Sequence, residues 1–335
     1  MPSKTTAIAL ERLQPTIIYD AYWRFAAERH AIFMRRLRGH TTNLTSDPIL
    51  RQYKFTNIYR ASDRVSQYLI RNVIYDAPRS DTATVFRILL FKIFNKIETW
   101  QLLSTTTPMS DRDFDYAAAA RTLNDALLGG SRIYSAAYIM PAGPTGQRKH
   151  EVHLQLLADI VRQRTISQLI ASSSLSAVYQ KLLSIPTLGP FLAFQYAIDL
   201  NYSAVINFHE NDFVVAGPGA LAGIAKCFAN SAAMDPTDII RLVADRQEEE
   251  FTSRGITFTG LCGRPLQLVD CQNIFCEIGK YARVAFPELA GNDGRNRIKQ
   301  HYRATAGQIN FWYPPKWNIN DCIASLQVRI PEQRA

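Results

Sequence analysis

Apolar residues recur at helical spacing through most of this chain, and strand-like alternation is nearly absent. Over residues 20–38, Tyr22, Phe25, Ala26, Phe33 and Leu37 share one helical face, and Gly39 follows where a C-cap belongs. Residues 62–75 repeat the pattern with Val65, Tyr68 and Leu69. Residues 85–103 are apolar around Arg87, Lys92 and Lys96, and at that length they predict one buried helix. Helices are also predicted over 113–128, where acidic residues lead as the helix dipole favours, and over 152–173. Residues 133–140 fit a short strand or a helix, and Pro141 to Gly146 is a loop. Beyond Ser176 the helices break at 185–190, 217–219 and 235–236. Only residues 256–258 and the last dozen hint at strands. The expectation is a mainly α chain, one helical body over 1–335. Its two lobes would cover 20–175 and 176–310, with a cleft between them and an extension over 311–335.

The chain has 335 residues, 47% hydrophobic and 20% charged, which suits a packed core and argues against disorder. No run of about 18 apolar residues occurs, so neither a membrane span nor a signal peptide is indicated, and a cytoplasmic protein is expected. Five cysteines, an odd number, argue against a disulfide framework; they are expected to be reduced and buried. Their spacing gives no paired C-x-x-C ligands, so no metal and no cofactor is expected. The net charge is +9, and residues 21–75 hold ten Lys and Arg against three Asp and Glu. A concentrated positive field suits a polyanion, and nucleic acid is the commonest.

The most informative local stretch is Ile185-Pro186-Thr187-Leu188-Gly189-Pro190-Phe191, between two helical patterns. Proline and glycine in this order predict a tight turn whose second helix, beginning at Gly189 and Pro190, offers free amides to a DNA phosphate. Asp199 lies in that second helix, and Asp212 lies 23 residues after Gly189 in Phe208-His209-Glu210-Asn211-Asp212. Over residues 182–228 the sequence resembles the helix-hairpin-helix DNA glycosylase superfamily, in which a hairpin is followed about twenty residues later by an essential Asp. Thr187 replaces the usual first glycine, and Phe191 stands where bifunctional members keep a lysine. The resemblance therefore implies an enzyme that leaves an abasic site without cutting the strand.

Four separated blocks carry a second resemblance: Asn57-Ile58-Tyr59-Arg60 with Asp63-Arg64; Phe91 to Trp100; Gly217-Pro218-Gly219-Ala220; and Asp270 to Glu277 followed by Lys280-Tyr281-Ala282-Arg283. Together, over residues 22–302, they are similar to a DNA base hypermodification family. It includes the helical domain of 5-hydroxymethyluracil DNA kinases and the α-glutamyl/putrescinyl-thymine pyrophosphorylases. No G-x-x-x-x-G-K-[ST] phosphate loop occurs, so the chain is not expected to be a nucleotide kinase itself.

Breaking an N-glycosidic bond builds positive charge on the sugar, which a nearby carboxylate stabilises. The expected catalytic residues are Asp212, then Asp199, with Glu210 and His209 assisting. Gln272, Asn273 and Glu277 have the polar groups to read a base edge, and Tyr59, Phe94, Trp100 and Tyr281 are candidates to stack on an extruded base. Gly189, Pro190, Gly217, Gly219, Arg60, Arg64, Lys280 and Arg283 are expected to hold DNA. The resulting expectation is a monomeric, monofunctional DNA glycosylase, acting on double-stranded phage DNA and excising a bulky modified pyrimidine such as glucosylated hydroxymethylcytosine. The alternative is a transferase that displaces pyrophosphate from an activated 5-hydroxymethyl pyrimidine with an amine or amino acid. A DNA-binding module without catalysis is a third reading.

Overall fold

The structure, a computed structural model, describes residues 12–143, 145–289, 297–303 and 310–327. It is mainly helical, and the described residues contain no β-strand, only isolated bridges such as Tyr53 with His301. In chain order the α-helices are α1 (Ile17–Leu37), α2 (Pro48–Gln52), α3 (Arg64–Tyr68), α4 (Asp81–Phe94), α5 (Ile97–Ser104), α6 (Tyr116–Leu128), α7 (Lys149–Arg162) and α8 (Thr165–Ile170). They continue with α9 (Leu175–Leu183), α10 (Pro190–Asn201), α11 (Pro218–Cys227), α12 (Pro236–Asp245), α13 (Gln247–Ser253), α14 (Leu268–Ala285) and α15 (Asn320–Leu326).

Local chemistry sets the starts. Thr16, Ser80, Asp115 and Ser174 cap α1, α4, α6 and α9 by accepting backbone N–H groups. Proline occupies the first position of α2, α10, α11 and α12, where its missing N–H costs nothing and its fixed φ suits the helix.

Several expected elements are corrected. The single helix over 85–103 is two, because Asn95 is left-handed (φ 47°) and ends α4. Residues 152–173 are likewise split by left-handed Arg164 (φ 57°). The helix over 62–75 is α3 followed by a π-helical turn, Leu69–Ile74. Residues 133–140 form neither strand nor helix, and 256–258 are not a strand. Of the last dozen residues, 324–326 are helical and the part after 327 lies outside the described residues.

The chain divides into two units, Met1–Asp63 with Val214–Ala335, and Arg64–Phe213. In the first unit α11 packs against α14, and α1 packs against both. Tyr22, Trp23, Phe228, Phe251 and Phe275 fill its interior. In the second unit α4 is the central element, with every residue from Ala83 to Phe94 buried, and it packs against the π-turn, α8 and α10. A disulfide joins Cys262 to Cys322 in the first unit, with 6.0 Å between their Cα atoms, which corrects the expectation of five reduced cysteines. A sequence separation of 60 hides the pairing from any local spacing rule. Cys227 and Cys271 are free and buried.

Candidate functional site

In the first unit, α14 and the segment from Phe55 to Asp63 build a lattice of charged groups. The Asp270 carboxylate accepts the backbone N–H of Gln267, closing the capping box that starts α14, and the backbone N–H of Arg60 at 3.1 Å. Tyr59 donates its hydroxyl to the Arg264 carbonyl (2.6 Å) and accepts the Leu261 N–H (3.1 Å). Asp63 accepts the Asn57 backbone N–H at 2.9 Å. Two helical turns beyond Asp270, Glu277 accepts the Thr56 N–H at 3.2 Å and the Lys280 ammonium at 2.9 Å, while that ammonium lies over the Phe55 ring. The first and last of the four sequence blocks therefore meet in one unit.

Gln272 on α14 and Arg29 on α1 are among the side chains here that are enclosed without satisfying every polar atom. Gln272 is 3% exposed and its Oε1 has no hydrogen-bond partner; Arg29 has an enclosed Nη1 in the same state. Such groups carry a desolvation cost that a ligand or water relieves. Burial pushes the Asp63 carboxyl up to about 6, against the pull of the Asn57 N–H and of Arg29. Burial also pushes His30, whose Nε2 lies 3.1 Å from the Gly260 carbonyl, down to about 4.

These two shifts have opposite consequences. Protonated Asp63 is favoured by the fold, so its contribution is complete below the ordinary 3.8 and is lost as pH rises through about 6. Neutral His30 is favoured by the fold, so its contribution is complete above the ordinary 6.5 and is lost as pH falls through about 4. On acidification from pH 6.5 to 4 they offset each other. Asp63→Asn, which keeps the acceptor for the Asn57 N–H, removes one side. Its stability relative to wild type is expected to drop by about 2 kcal/mol over that interval. Urea unfolding midpoints at both pH values check this.

The exposed basic residues of the first unit were only partly anticipated. The segment 297–303 runs beside residues 52–54, with Lys54 N–H donating to the Gln300 carbonyl (3.0 Å) and Tyr302 N–H to the Gln52 carbonyl (2.9 Å). Arg51 and Lys54 are exposed on one side of this pairing, and Arg297, Lys299 and Arg303 on the other, while Ile298 is buried beneath. The R-I-K-x-x-x-R spacing was the available signal, and the charge count over residues 21–75 saw only one side of the pair.

The remaining expected residues divide as follows. Tyr59 is 2% exposed, Lys280 and Arg283 are half-buried on α14, and Asn273 is half-buried there too. Gly217 caps α11, and Gly219 faces α14, where a Cβ would collide with Cys276 Sγ. In the second unit, Gly189 caps α10 and Pro190 opens it, with open space around Gly189. Arg64 is exposed and pairs with Glu98 at 3.3 Å. Phe94 and Trp100 are buried, against Tyr134 and Phe91. Asp199 is buried and holds the Lys92 ammonium at 2.7 Å. Glu210 is buried; Asp212 is exposed in a turn where its backbone N–H donates to the His209 carbonyl.

The family model described as "5-hmdU DNA kinase, helical domain" matches residues 16–291. A 5-hmdU DNA kinase of Bacillus phage SP10 is 24% identical over 286 residues, covering 79% of this chain and 45% of the relative. The chain thus spans about half the length of the curated relative it matches. No solved structure matches. No helix among the described residues is long and apolar enough to cross a membrane.

These findings overturn both expected activities. The matched relative is a kinase, a phosphotransferase, so neither the N-glycosidic hydrolase nor the pyrophosphate-displacing transferase stands. The error came from the hairpin. A turn between α9 and α10 with an Asp beyond it is a helical packing device, and it does not specify which bond reacts. The glycosidic role given to Asp212 is withdrawn with that chemistry.

Proposed function

Because the chain belongs to the family of the 5-hmdU DNA kinase helical domain, we propose that it serves phosphorylation of 5-hydroxymethyluracil in DNA, as the part that engages the modified duplex. The family match over residues 16–291 is the observation that carries this reading. The charge supports it: a +9 chain with Arg51, Lys54, Arg297, Lys299 and Arg303 exposed along one pairing offers ammonium and guanidinium groups to phosphates. Recognition of the base falls to polar groups, and Gln272 and Asn273 on α14 keep the role expected of them. The protein acts as a cytoplasmic monomer in this reading.

Competition binding with duplexes that differ only in one 5-hydroxymethyluracil or thymine tests the proposal. An affinity ratio of about tenfold, or ~1.4 kcal/mol, is expected from one extra hydroxyl recognised by a buried polar group. Equal affinities would refute it. The basic strip has its own test. Replacing Arg51, Lys299 and Arg303 together with alanine should weaken both duplexes alike. It should also reduce the slope of log K against log salt by roughly one per lost phosphate contact. An unchanged slope excludes the strip as the DNA contact.

A further inference from the structure

The second unit contains an arrangement that packing alone does not call for. The Tyr138 ring lies 4.0 Å over the Lys92 ammonium and stacks on Phe191 with 5.9 Å between centroids and 22° between planes. Lys92 is paired with Asp199 at 2.7 Å, their side chains 1% and 3% exposed, and the Tyr196 ring stands 6.0 Å from the same ammonium. Two charges removed from water cost more than hydrocarbon of the same volume. The roof over them is strained as well. Tyr138 has φ 55°, a left-handed conformation that an aromatic residue rarely adopts. Thr187, four residues before Phe191, shares it at φ 73°. Beside Tyr138 the chain leaves Ile139 60% exposed in a segment without regular structure.

A planar six-membered ring stacked on Phe191 with its face over a dry Lys–Asp pair has the shape of a pyrimidine. A pyrimidine in that position would rest its face on the Lys92 ammonium as Tyr138 does, and its 5-hydroxymethyl hydroxyl, free to rotate out of the ring plane, would donate to the Asp199 carboxylate. We propose that Tyr138 is a plug in the receiving slot for an extruded 5-hydroxymethyl pyrimidine, with Phe191 and Tyr196 as its aromatic walls and Lys92 and Asp199 as its polar floor. The inference rests on the function proposed above for the identity of the base. Extrusion of a base costs a few kcal/mol of stacking and pairing, and exchange of the strained tyrosine for the base offsets part of it.

Tyr138→Gly tests the plug. Glycine adopts a left-handed φ without penalty, so the variant keeps the fold. The ligands are free 5-hydroxymethyl-2′-deoxyuridine, measured by equilibrium dialysis, and the two duplexes described above. With the plug gone, the nucleoside and the hydroxymethyluracil duplex are each expected to bind at least fivefold tighter than to wild type, with the thymine duplex unchanged. Adding Phe191→Ala should cancel the gain. If wild type prefers the modified duplex and Tyr138→Gly binds nucleoside and modified duplex as wild type does, or more weakly, the plug is refuted and the DNA reading stands. If wild type shows no preference but the variant gains fivefold on the nucleoside, the slot stands and the DNA reading falls.

Discussion

Lys92→Met lowers the stability of the protein by about 3–5 kcal/mol, the usual result of stranding one member of a dry ion pair. The cause is Asp199. Its carboxylate is 3% exposed and sits 2.7 Å from the ammonium, so removing Lys92 leaves a charge with almost no access to water. Asp199→Leu is expected to cost a similar amount for the converse reason. The double variant Lys92→Met with Asp199→Leu removes both charges and refills the volume, and it should recover most of the loss. Guanidinium unfolding of the four proteins gives the double-mutant cycle directly. A double variant that is as unstable as the sum of the singles would show that the pair is not the coupling.

The second large effect concerns α11 and α14. Gly219 and Gly223 lie one turn apart on α11, and Gly279 of α14 faces Gly223, so the two backbones approach closely there. A Cβ on Gly223 would collide with the Phe275 carbonyl, and one on Gly219 with Cys276 Sγ. A backbone carbonyl inside a helix cannot turn aside as a side-chain end can. Gly223→Ala is therefore expected to cost about 3 kcal/mol, the upper part of the overpacking range, and Gly219→Ala less. The helix propensity of alanine would favour the variant by about 1 kcal/mol, so a measured gain in stability would mean that the close approach is wrong. Thermal melts of both variants decide it.

Much of the helical content was legible because it depends on local rules. The α1 stripe of Tyr22, Phe25, Ala26 and Phe33, the proline at the start of α10 and α11, and the breaks near 185–190 and 217–219 all follow from neighbours in sequence. The split of 85–103 was masked by the apolar run that continues on both sides of it, although Asn95, which ends α4 in the left-handed conformation, is of the type that adopts it most readily after glycine. The site was legible in composition and not in arrangement. Asn57, Tyr59, Arg60, Asp270 and Glu277 were all singled out, yet Asp270 and Tyr59 spend their polar atoms on a helix cap and on backbone groups. Asp199 was singled out as well, but Lys92 lies 107 positions earlier, and no periodicity links them. The Gly217-Pro218-Gly219 loop illustrates the same limit. Its glycine pattern matches an anion-binding turn, while Gly219 is accounted for by the α14 contact.

The division into units has a consequence for synthesis. The first unit draws on both ends of the chain, with residues 64–213 inserted between them. On a ribosome adding roughly 5–20 residues per second, α1 emerges many seconds before α11 and α14 exist to cover Tyr22 and Trp23. The inserted unit has all its helices at hand by then. The nascent polypeptide therefore passes through a stage in which every helix of the middle exists while the apolar face of the leading helix still lacks the partners that bury it, and that face is then open to aggregation.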